Sequence, residues 1–437
     1  MSAPTLPSAW SNWAGNQRAN AIRVQRPASR QDVADSVAAA AREGLTVKPV
    51  GAGHSFTAAA RTDGIRLELD RLASVVQVDI ENKRVTVQAG MKLHALNDLL
   101  AASGLAMPNL GDIDVQTVSG AISTGTHGTG AKLGCLATFV VGLTIVTGTG
   151  EIITATETEN PDVFQAARVG VGALGVLTDV TLQCTDAFTL RADERPARVD
   201  DVFASLDDHV ASNDHFEMYW FPYTDLLQIK RNNRVAVADA PLHRFRGWLD
   251  DDFLPNTVFG GACRLGRAVP ALVPSISKFA ARALSARVYT DRSDRVFCTP
   301  RRVRFTEMEY GLPRAALPEA FAALRSIVDR MPFKIAFPVE MRFSAADDIW
   351  MSHGYRRDSA YIAIHQFVGM PYEPYMQAFE KVAISLGGRP HWGKLNWRDA
   401  ESLRTVYPRF DDFLAVRDKL DPQRVFANAY TSRIFGA

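Results

Sequence analysis

Twelve residues, 119–130, constrain the fold of this chain more than any other stretch. They contain four glycines, five hydroxyl side chains and one histidine. Such a segment buries little apolar surface, but its backbone can approach a partner closely and it offers many hydrogen-bond donors. A flexible surface linker would be richer in Lys, Glu or Pro. We therefore expect a ligand-binding loop between regular elements of a mixed α and β unit.

A second glycine loop lies upstream, where Gly51 and Gly53 precede His54. Glycines at this spacing let successive N–H groups converge into an anion-binding nest, and a diphosphate is the expected anion. Taken alone, His54 is equally well explained as a loop histidine whose partners are backbone groups. The second glycine-rich segment favours the ligand-binding interpretation.

A third glycine run, residues 170–175, matches the dinucleotide pattern G-x-G-x-x-G. A Rossmann site needs a helix that begins inside this pattern. Residues 176–182 are β-branched and alternate instead, which predicts a strand. The chain also lacks the G-x-x-x-x-G-K-[ST] pattern of nucleotide triphosphatases. The sequence therefore disfavours a Rossmann dinucleotide site and does not support a nucleotide triphosphatase.

The sequence divides into two regions with different patterns of helix and strand signals. Short helix and strand signals alternate up to about residue 185, whereas longer, aromatic strands and two helices follow up to about residue 390. This predicts an α+β fold whose second part is an antiparallel sheet. The expected strands are 46–50, 85–90, 139–146, 151–154, 176–183, 215–223, 303–310, 338–343 and 361–368, and the expected helices begin at Ser29 and cover 93–103, 317–330 and 374–386. We expect a helical insertion at 240–300, and one helix, a turn and an extended tail at 407–437.

Composition limits the partners and the compartment. The formal net charge of +1 gives no overall attraction to nucleic acid or to an anionic membrane. The four cysteines are far apart and form no C-x-x-C pair, which disfavours a metal site and indicates reduced thiols in a cytoplasm. The first ten residues lack a secretion signal, and no apolar run is long enough to span a bilayer. Peripheral membrane association stays open.

The segment 337–343 alternates strictly between apolar and charged residues. Glu340 and Arg342 therefore share one face of a strand, about 7 Å apart. A solvated charge pair would explain the same pattern.

The two glycine loops together resemble a known family. Gly-x-Gly-His-Ser at 51–55 and Gly-Ala-x-x-Thr-Gly-Thr-His-Gly at 120–128 resemble the FAD domain of the vanillyl-alcohol oxidase and p-cresol methylhydroxylase (PCMH) superfamily. Residues 339–343 and 389–394 look like motifs of its sugar-1,4-lactone oxidase and alditol oxidase branch. The segments 10–13 and 421–430 fit as well.

This resemblance implies a PCMH-type FAD-binding domain of two α+β subdomains at 14–185, an α+β cap domain for the substrate at 186–400, and a segment at 401–437 that returns to the FAD domain. It also implies FAD bonded through its 8α-methyl carbon to His54. The cofactor-binding residues implied are Val50, Gly51, Ala52, Gly53, His54, Ser55, Thr117, Ser119, Gly120, Ser123, Thr124, Gly125, Thr126, His127, Gly128, Gly175 and Val176.

The same resemblance implies the reaction. A secondary alcohol of an aldono-1,4-lactone, of the L-gulono or D-arabinono type, would give hydride to flavin N5, and oxygen or another acceptor would reoxidise the flavin. Arg342 and Lys394 would stabilise the reduced flavin's negative charge, Glu340 would bind substrate hydroxyls, and His365 would take the proton. Thr117 would also contact substrate. His391 and Trp392 would shape and dry the pocket. The remaining histidines are isolated and receive no chemistry: His94, His209, His215, His243 and His353.

Two alternatives stay open at this point. An alditol oxidase acting on open-chain polyols such as xylitol or sorbitol would use the same Glu, Arg and Lys. A non-catalytic flavin-binding module would not need the charged face at residues 340 and 342.

Overall fold

A computed structural model describes residues 9–436, apart from the side chain of residue 244. Most of the segment in which we expect no secretion signal, residues 1–8, lies outside this range, as does residue 437. The strands, in chain order, are β1 (Ala9–Ser11), β2 (Arg18–Asn20), β3 (Arg23–Gln25), β4 (Val47–Val50), β5 (Ile65–Glu68), β6 (Val75–Asp79), β7 (Arg84–Gln88), β8 (Leu105–Ala106), β9 (Val140–Val146), β10 (Ile152–Thr156), β11 (Val176–Gln183), β12 (Thr185–Asp186), β13 (Thr189–Arg198), β14 (His215–Trp220), β15 (Leu226–Val235), β16 (Arg287–Arg292), β17 (Phe305–Pro313), β18 (Val339–Ser344), β19 (Ser359–Phe367) and β20 (Arg389–Pro390).

The described residues form fifteen α-helices. They are α1 (Arg30–Glu43), α2 (Leu93–Ala102), α3 (Val118–Ser123), α4 (Pro161–Ala167), α5 (Val199–Ala204), α6 (Leu206–Ala211), α7 (Arg244–Gly247), α8 (Phe259–Ala268), α9 (Val273–Ala283), α10 (Ser293–Phe297), α11 (Leu317–Arg330), α12 (Glu373–Ser385), α13 (Ala400–Arg404), α14 (Phe410–Leu420) and α15 (Ala429–Phe435). A π-helical segment, Trp248–Val258, precedes α8. The start of α1 follows from its sequence, because the Ser29 side chain accepts from the Asp32 N–H and Gly44 ends the helix in the left-handed region.

Three sheets have three or more strands. A parallel sheet has the order β3-β5-β4, and an antiparallel sheet has the order β10-β9-β11-β7-β6. The largest sheet has eight strands in the order β16-β13-β15-β14-β18-β19-β17-β20, and every pairing in it is antiparallel. The predicted α+β class and the antiparallel second sheet are therefore confirmed.

The predicted strand at 176–183 coincides with β11, and it follows the third glycine run directly, so no Rossmann helix begins there. The predicted helices at 317–330 and 374–386 correspond to α11 and α12. The insertion predicted at 240–300 is helical through α7, the π-helical segment, α8 and α9, but its later part is not, because Arg287–Arg292 form β16, an edge strand of the largest sheet.

The prediction of an extended C-terminal tail is wrong. Residues Ala429–Phe435 form α15, which begins with a capping box between Asn428 and Thr431. Such a box satisfies two backbone donors at the helix start. Ile434 and Phe435 are fully buried in the core that also contains Trp392. Burial of this face stabilises a helix in a segment too short to form one alone.

The eight-stranded sheet has two unlike faces. One is apolar and packs against α11 and α12, with Met218, Met341 and Ile362 completely buried. The other carries charged side chains toward the glycine loops. Among the described residues, no helix is both long and apolar enough to cross a membrane.

Candidate active site

The first glycine loop follows β4 directly. Gly53 has a φ of +68°, in the left-handed region that glycine tolerates. Among residues 9–436, no hydrogen bond uses the backbone N–H of Ala52, Gly53, His54 or Ser55 as its donor. Backbone donors without an acceptor are costly unless they face water or a ligand. This donor set fits an anion such as a diphosphate.

The second glycine segment is partly helical, which corrects its description as a loop. Residues Val118–Ser123 form α3, and the Thr117 hydroxyl caps it by accepting from the Gly120 N–H at 3.2 Å. Val118, Ala121 and Ile122 are buried, which explains why so polar a segment folds into a helix here. The remainder, from Thr124, continues as a buried loop.

Side chains of this segment are mostly held by its own fold. Ser119 donates to the Ala89 carbonyl at 2.8 Å, and Thr124 donates to the Gly120 carbonyl at 3.1 Å. The Thr126 hydroxyl accepts from Gln116. A ligand would therefore meet mainly backbone here, and Gly125 and Gly128 let it come close.

The two glycine segments touch each other and the segment 389–394. A Cβ on Gly51 would overlap the Thr117 hydroxyl, so only glycine fits there. A Cβ on Gly393 would lie 3.3 Å from the Ser55 hydroxyl and 3.4 Å from the Thr124 hydroxyl, and Gly393 also accepts from the Phe56 N–H at 2.7 Å. Three segments that are distant in the sequence therefore form one cradle, in which glycines let the backbones and a ligand approach one another closely. The chemistry of its donors fits the FAD that the resemblance implies.

Gly175 and Val176 lie at the back of this region. A Cβ on Gly175 would meet the Val146 carbonyl at 2.5 Å, and the Val176 side chain is fully buried in the core with Val33 and Val47. Packing between β9 and β11 already accounts for both residues. Any contact of Val176 with a cofactor would use its backbone.

His54 lies at the edge of the cradle, stacked on Trp13 with ring centroids 5.3 Å apart. Burial, together with the positive charges of Lys394 and Lys92, lowers the pKa of His54 to about 4. The imidazole is therefore neutral at neutral pH, with a lone pair on one ring nitrogen.

Arg342 is the centre of a buried ionic cluster. Its guanidinium pairs with Asp112 and Glu340, and its Nε lies 3.1 Å from Glu217 Oε2. The Tyr219 hydroxyl donates to Glu340 at 3.1 Å. The side chain of Arg342 is 9 % exposed, so these carboxylates hold its charge in one place.

The acids of this cluster do not ionise alike. Burial raises the pKa of Asp112, but Arg342 and Arg301 oppose it and hold that pKa below its usual range. Burial raises the pKa of Glu340, Arg342 opposes the rise, and the negative charges of Asp112 and Glu217 add to it, which together bring that pKa to about 8. One of several crowded carboxylates keeps its proton, because their negative charges repel.

The cluster continues across the sheet as a row of alternating charge. Lys230 Nζ lies 2.8 Å from Glu217 and 4.0 Å from Glu194. Arg287 Nε lies 2.8 Å from Glu194. These residues stand opposite one another on β14, β15, β13 and β16. Arg342 is thus the inner end of a buried, charge-compensated row.

Lys394 and His365 share a second acid. Lys394 Nζ pairs with Glu307, and His365 Nε2 lies 3.4 Å from Glu307 Oε1. Burial raises the pKa of Glu307, but Lys394, and His365 whenever it is protonated, oppose it and bring that pKa to about 2. The His365 Nδ1 lies 3.1 Å from the Pro338 carbonyl. Lys394 also lies over the Phe56 ring, 5.1 Å from its centroid, next to the first glycine loop.

The four predicted catalytic residues therefore lie on one face, beside both glycine segments. Glu340 pairs with Ala363 across β18 and β19, and His365 follows two residues later opposite Glu307. Arg342 donates to the His127 carbonyl at 3.4 Å. Thr117, which was expected to contact substrate, faces Gly51, and its hydroxyl accepts the hydrogen bond that caps α3.

A third group is made of histidines. His127 Nε2 lies 2.9 Å from Glu309, and the His127 ring stacks on Tyr361 at 3.7 Å. His353, predicted to be isolated, is completely buried and stacks on His391 at 4.9 Å. That prediction is wrong, because the fold brings His353 into contact with His391, although the two residues are distant in the sequence. Trp392 is fully buried and donates to the Met351 carbonyl.

Two groups have ligand atoms within 4.8 Å of one another: His127, Glu309 and His391, and Asp112, Glu217 and Glu340. In both, positively charged or hydrogen-bonding protein groups already engage the acids. His127 contacts Glu309, and Arg342 contacts all members of the second group. Other protein side chains therefore already interact with the acids in both groups, in the way that a metal cation would.

Several residues at or near the site were not predicted from the sequence: Lys92, Asp112, Glu217, Tyr219, Arg301, Glu307 and Glu309. Glu307 and Glu309 alternate with apolar residues on β17 in the same way as Glu340 and Arg342 on β18. This period-two pattern could have identified them. Asp112 carries no such signal, since it lies in a loop.

Comparison with known proteins agrees with this geometry. A model of the D-arabinono-1,4-lactone oxidase family matches residues 180–434, and a model of an FAD binding domain matches residues 21–156. The chain is 41 % identical over 427 residues to an L-gulono-1,4-lactone dehydrogenase of Mycobacterium tuberculosis, covering 98 % of this chain and 99 % of the relative. It is 34 % identical to an L-gulonolactone oxidase of Bos taurus, with 97 % of each chain covered.

Solved structures resemble the whole chain. A solvent-stable cholesterol oxidase superposes with a TM-score of 0.84 over 99 % of this chain and 98 % of its own, at 19 % identity. A cholesterol oxidase from B. sterolicum gives 0.83 at 21 % identity, over 99 % and 97 %. At this identity the likeness shows the fold, and it confirms the predicted PCMH-type architecture.

The family model covers more than half of the chain, and both relatives exceed 30 % identity over nearly its full length. The chain belongs to the D-arabinono-1,4-lactone oxidase family and is an FAD-linked oxidoreductase.

Proposed function

We propose that this enzyme oxidises the secondary alcohol of an aldono-1,4-lactone, of the L-gulono or D-arabinono type, to an ascorbate-like product. The observation that carries the proposal is the shared face of β18, β19 and β17, where two cations and a histidine meet the glycine cradle. FAD, when bound, accepts the hydride. The names of the relatives support the lactone as substrate.

His365 is the proposed proton acceptor. The Pro338 carbonyl can only accept, so a hydrogen bond from Nδ1 at 3.1 Å requires the hydrogen on Nδ1. In the neutral ring, Nε2 then carries the lone pair and can take the substrate's hydroxyl proton. Glu307, 3.4 Å from Nε2, would stabilise the positive charge that forms.

Arg342 and Lys394 are proposed to stabilise the negative charge of the reduced flavin, which develops as hydride is transferred from the substrate. Both are oriented in advance by buried carboxylates, so little reorganisation is needed during the reaction. Glu340 is proposed to bind substrate hydroxyls. With its pKa raised to about 8, its carboxyl retains a proton at neutral pH and can donate as well as accept.

Anaerobic mixing tests the substrate. We expect an aldono-1,4-lactone to bleach the visible absorbance of the bound flavin within the mixing experiment, and xylitol and sorbitol to bleach it much more slowly. Faster bleaching by a polyol would instead support an alditol oxidase. No bleaching by any lactone or polyol would support a non-catalytic flavin protein.

We also propose that FAD is bonded through its 8α-methyl carbon to His54. The neutral imidazole beside the cradle supports this, since bond formation needs a nitrogen lone pair. Acid precipitation should leave the yellow colour in the protein pellet, and His54→Ala should move it to the supernatant. His94→Ala, an exposed histidine, is the matched control. Colour found wholly in the wild-type supernatant contradicts the linkage.

The domain boundaries proposed are 14–185 for FAD binding, 186–400 for the substrate cap and 401–437 for the returning segment. Two contacts support the return, because the Val47 N–H donates to the Val425 carbonyl at 2.7 Å and Phe426 is buried in the core of α1 and β4. A cytoplasmic location is likewise proposed, supported by four cysteines that are all unpaired.

A further inference from the structure

A buried pair of side chains joins the second glycine segment to the largest sheet. His127 belongs to that segment and Glu309 to β17, and His127 Nε2 lies 2.9 Å from Glu309 Oε1. The two side chains are 2 % and 7 % exposed, so water does not compete for either group. The number of protons that such a pair holds follows from the other hydrogen bonds of its members.

His127 and Glu309 hold one proton more than a neutral imidazole beside a carboxylate would. The Nδ1 atom of His127 lies 2.8 Å from the Gly128 carbonyl, which can only accept, so Nδ1 carries a hydrogen. A neutral ring would then present a lone pair at Nε2 to a carboxylate, which has only lone pairs to offer. Two acceptors do not form a hydrogen bond, so a further proton lies between Nε2 and Oε1.

This proton resides on His127. Burial raises the pKa of Glu309, but the charge and the hydrogen bond of His127 oppose it and hold that pKa below its usual range. Glu309 is therefore a carboxylate and His127 an imidazolium. The two neighbouring histidines differ, because burial lowers the pKa of both His353 and His391. His391 Nδ1 accepts from the Gly393 N–H at 3.0 Å, as a neutral ring does.

The pair lies where the glycine cradle meets the cap sheet. Residues 124–128 continue the second glycine segment after α3, and the backbone just beyond them is already bound to β18, because the Gly130 N–H donates to the Phe343 carbonyl at 2.8 Å. The contact between His127 and Glu309 extends this attachment to β17 and to the part of the segment nearer the cradle.

We propose that His127 and Glu309 are positioning residues, which hold the 124–128 part of the FAD cradle against β17 through one shared proton. When the pair is broken, a buried polar group loses its partner, so the segment moves and FAD is held less tightly. Glu307, the other acid of β17 on this face, orients the proposed catalytic groups instead. The positioning role depends on the cradle being the FAD site, and not on the lactone as substrate or on a bond to His54.

NMR of the holoenzyme labelled with ¹⁵N-histidine tests the shared proton. A glutamine at position 309 brings its own N–H, which can donate to the Nε2 lone pair of a neutral His127. At neutral pH, Glu309→Gln should therefore contain one doubly protonated histidine fewer than wild type. An equal number in both proteins overturns the proposal, because the pair then holds no extra proton.

Release of FAD from the diluted holoenzyme, followed by flavin fluorescence, tests the positioning. Every protein in this measurement carries His54→Ala, so that flavin can leave whether or not the wild type bonds it. Glu309→Leu should release FAD at least about tenfold faster, because a hydrogen bond between charged groups is lost. Glu309→Gln keeps a hydrogen bond to His127 and should stay within about threefold of the parent.

Glu380→Leu is the matched control. It removes another buried acid, which accepts from the Tyr310 hydroxyl at 2.6 Å on the face of β17 that packs against the helices. This variant should release FAD as the parent does. Unchanged release from Glu309→Leu, or equally fast release from Glu309→Gln and Glu309→Leu, overturns the positioning role. The proposed lactone oxidation fails separately, when no lactone bleaches the flavin, and neither measurement depends on that result.

Discussion

The same strands of the eight-stranded sheet form two unlike faces, one apolar and one charged. On β18, Met341 lies fully buried against the helices, while Arg342, the next residue, lies in a cluster of carboxylates on the other side. On β14, Met218 and Glu217 divide in the same way. The apolar face needs only volume and hydrophobicity, whereas each charge on the other face needs a specific partner. A fold can be anchored by one face and leave the other for chemistry.

The largest expected effect comes from the inner end of the charged row. Arg342→Ala should lower the rate of flavin reduction by about 10² to 10³-fold while FAD stays bound, since it removes a fixed charge near the developing anion. Lys394→Ala should act similarly. Stopped-flow reduction with the lactone measures both. Arg325→Ala, on α11 behind the apolar face, is the control and should reduce normally. Near-normal reduction in both site variants would contradict the proposed charge stabilisation.

A near-isosteric change on the charged face should cost stability. Glu217→Gln keeps the shape but leaves Lys230 with one carboxylate, Glu194, at 4.0 Å, and removes one partner of Arg342. Breaking a buried ion pair from one side costs about 3 kcal/mol. Urea unfolding of the holoenzyme measures this cost, with the exposed Glu157→Gln as control. A loss no larger than the control's would mean that the row contributes nothing to stability.

Much of this contrast could be predicted from the sequence, because it follows from strand periodicity. The alternation at 337–343 predicts which residues of β18 face the site, and the glycine segments predict the cradle. What the sequence does not contain is the strand order. Glu217 meets Arg342 only because β14 pairs with β18 across more than a hundred residues of chain.

Other members of the site are set by burial that no local pattern encodes. Asp112 reaches Arg342 from a loop, and His353 reaches His391 through tight packing, where a Cβ on Gly125 would lie 2.7 Å from the His353 ring. The C-terminal helix α15 depends on contacts with Trp392 and Phe413 in the same way. Tertiary contacts decide such elements, so propensity alone predicted an extended tail.

The charged face should also give stability a dependence on pH. Glu340 keeps its proton to about pH 8 in the folded protein, whereas its ordinary pKa is 4.5. Between these values the folded state binds more protons than the unfolded state, so the free energy of unfolding falls as pH rises. The slope is at most about 1.4 kcal/mol per pH unit, because one proton is involved.

Glu340→Gln isolates this contribution, since the amide stays neutral at every pH. Unfolding of both proteins should be measured at several pH values between 4.5 and 8, the range set by the two pKa values. The stability of wild type relative to the variant should decline across that range. A difference that is constant with pH would show that the carboxyl is ionised throughout.

The smallest effect is expected on the apolar face. Met341→Leu nearly conserves volume beside Met218, its partner on β14, and such swaps in a core cost less than about 1.5 kcal/mol. The rate of flavin reduction should be unchanged, because the side chain points away from Glu340 and Arg342. Urea unfolding, compared directly with Glu217→Gln, gives the contrast in one measurement. If Met341→Leu costs as much as Glu217→Gln, partner specificity does not distinguish the two faces, and packing alone holds the charged one.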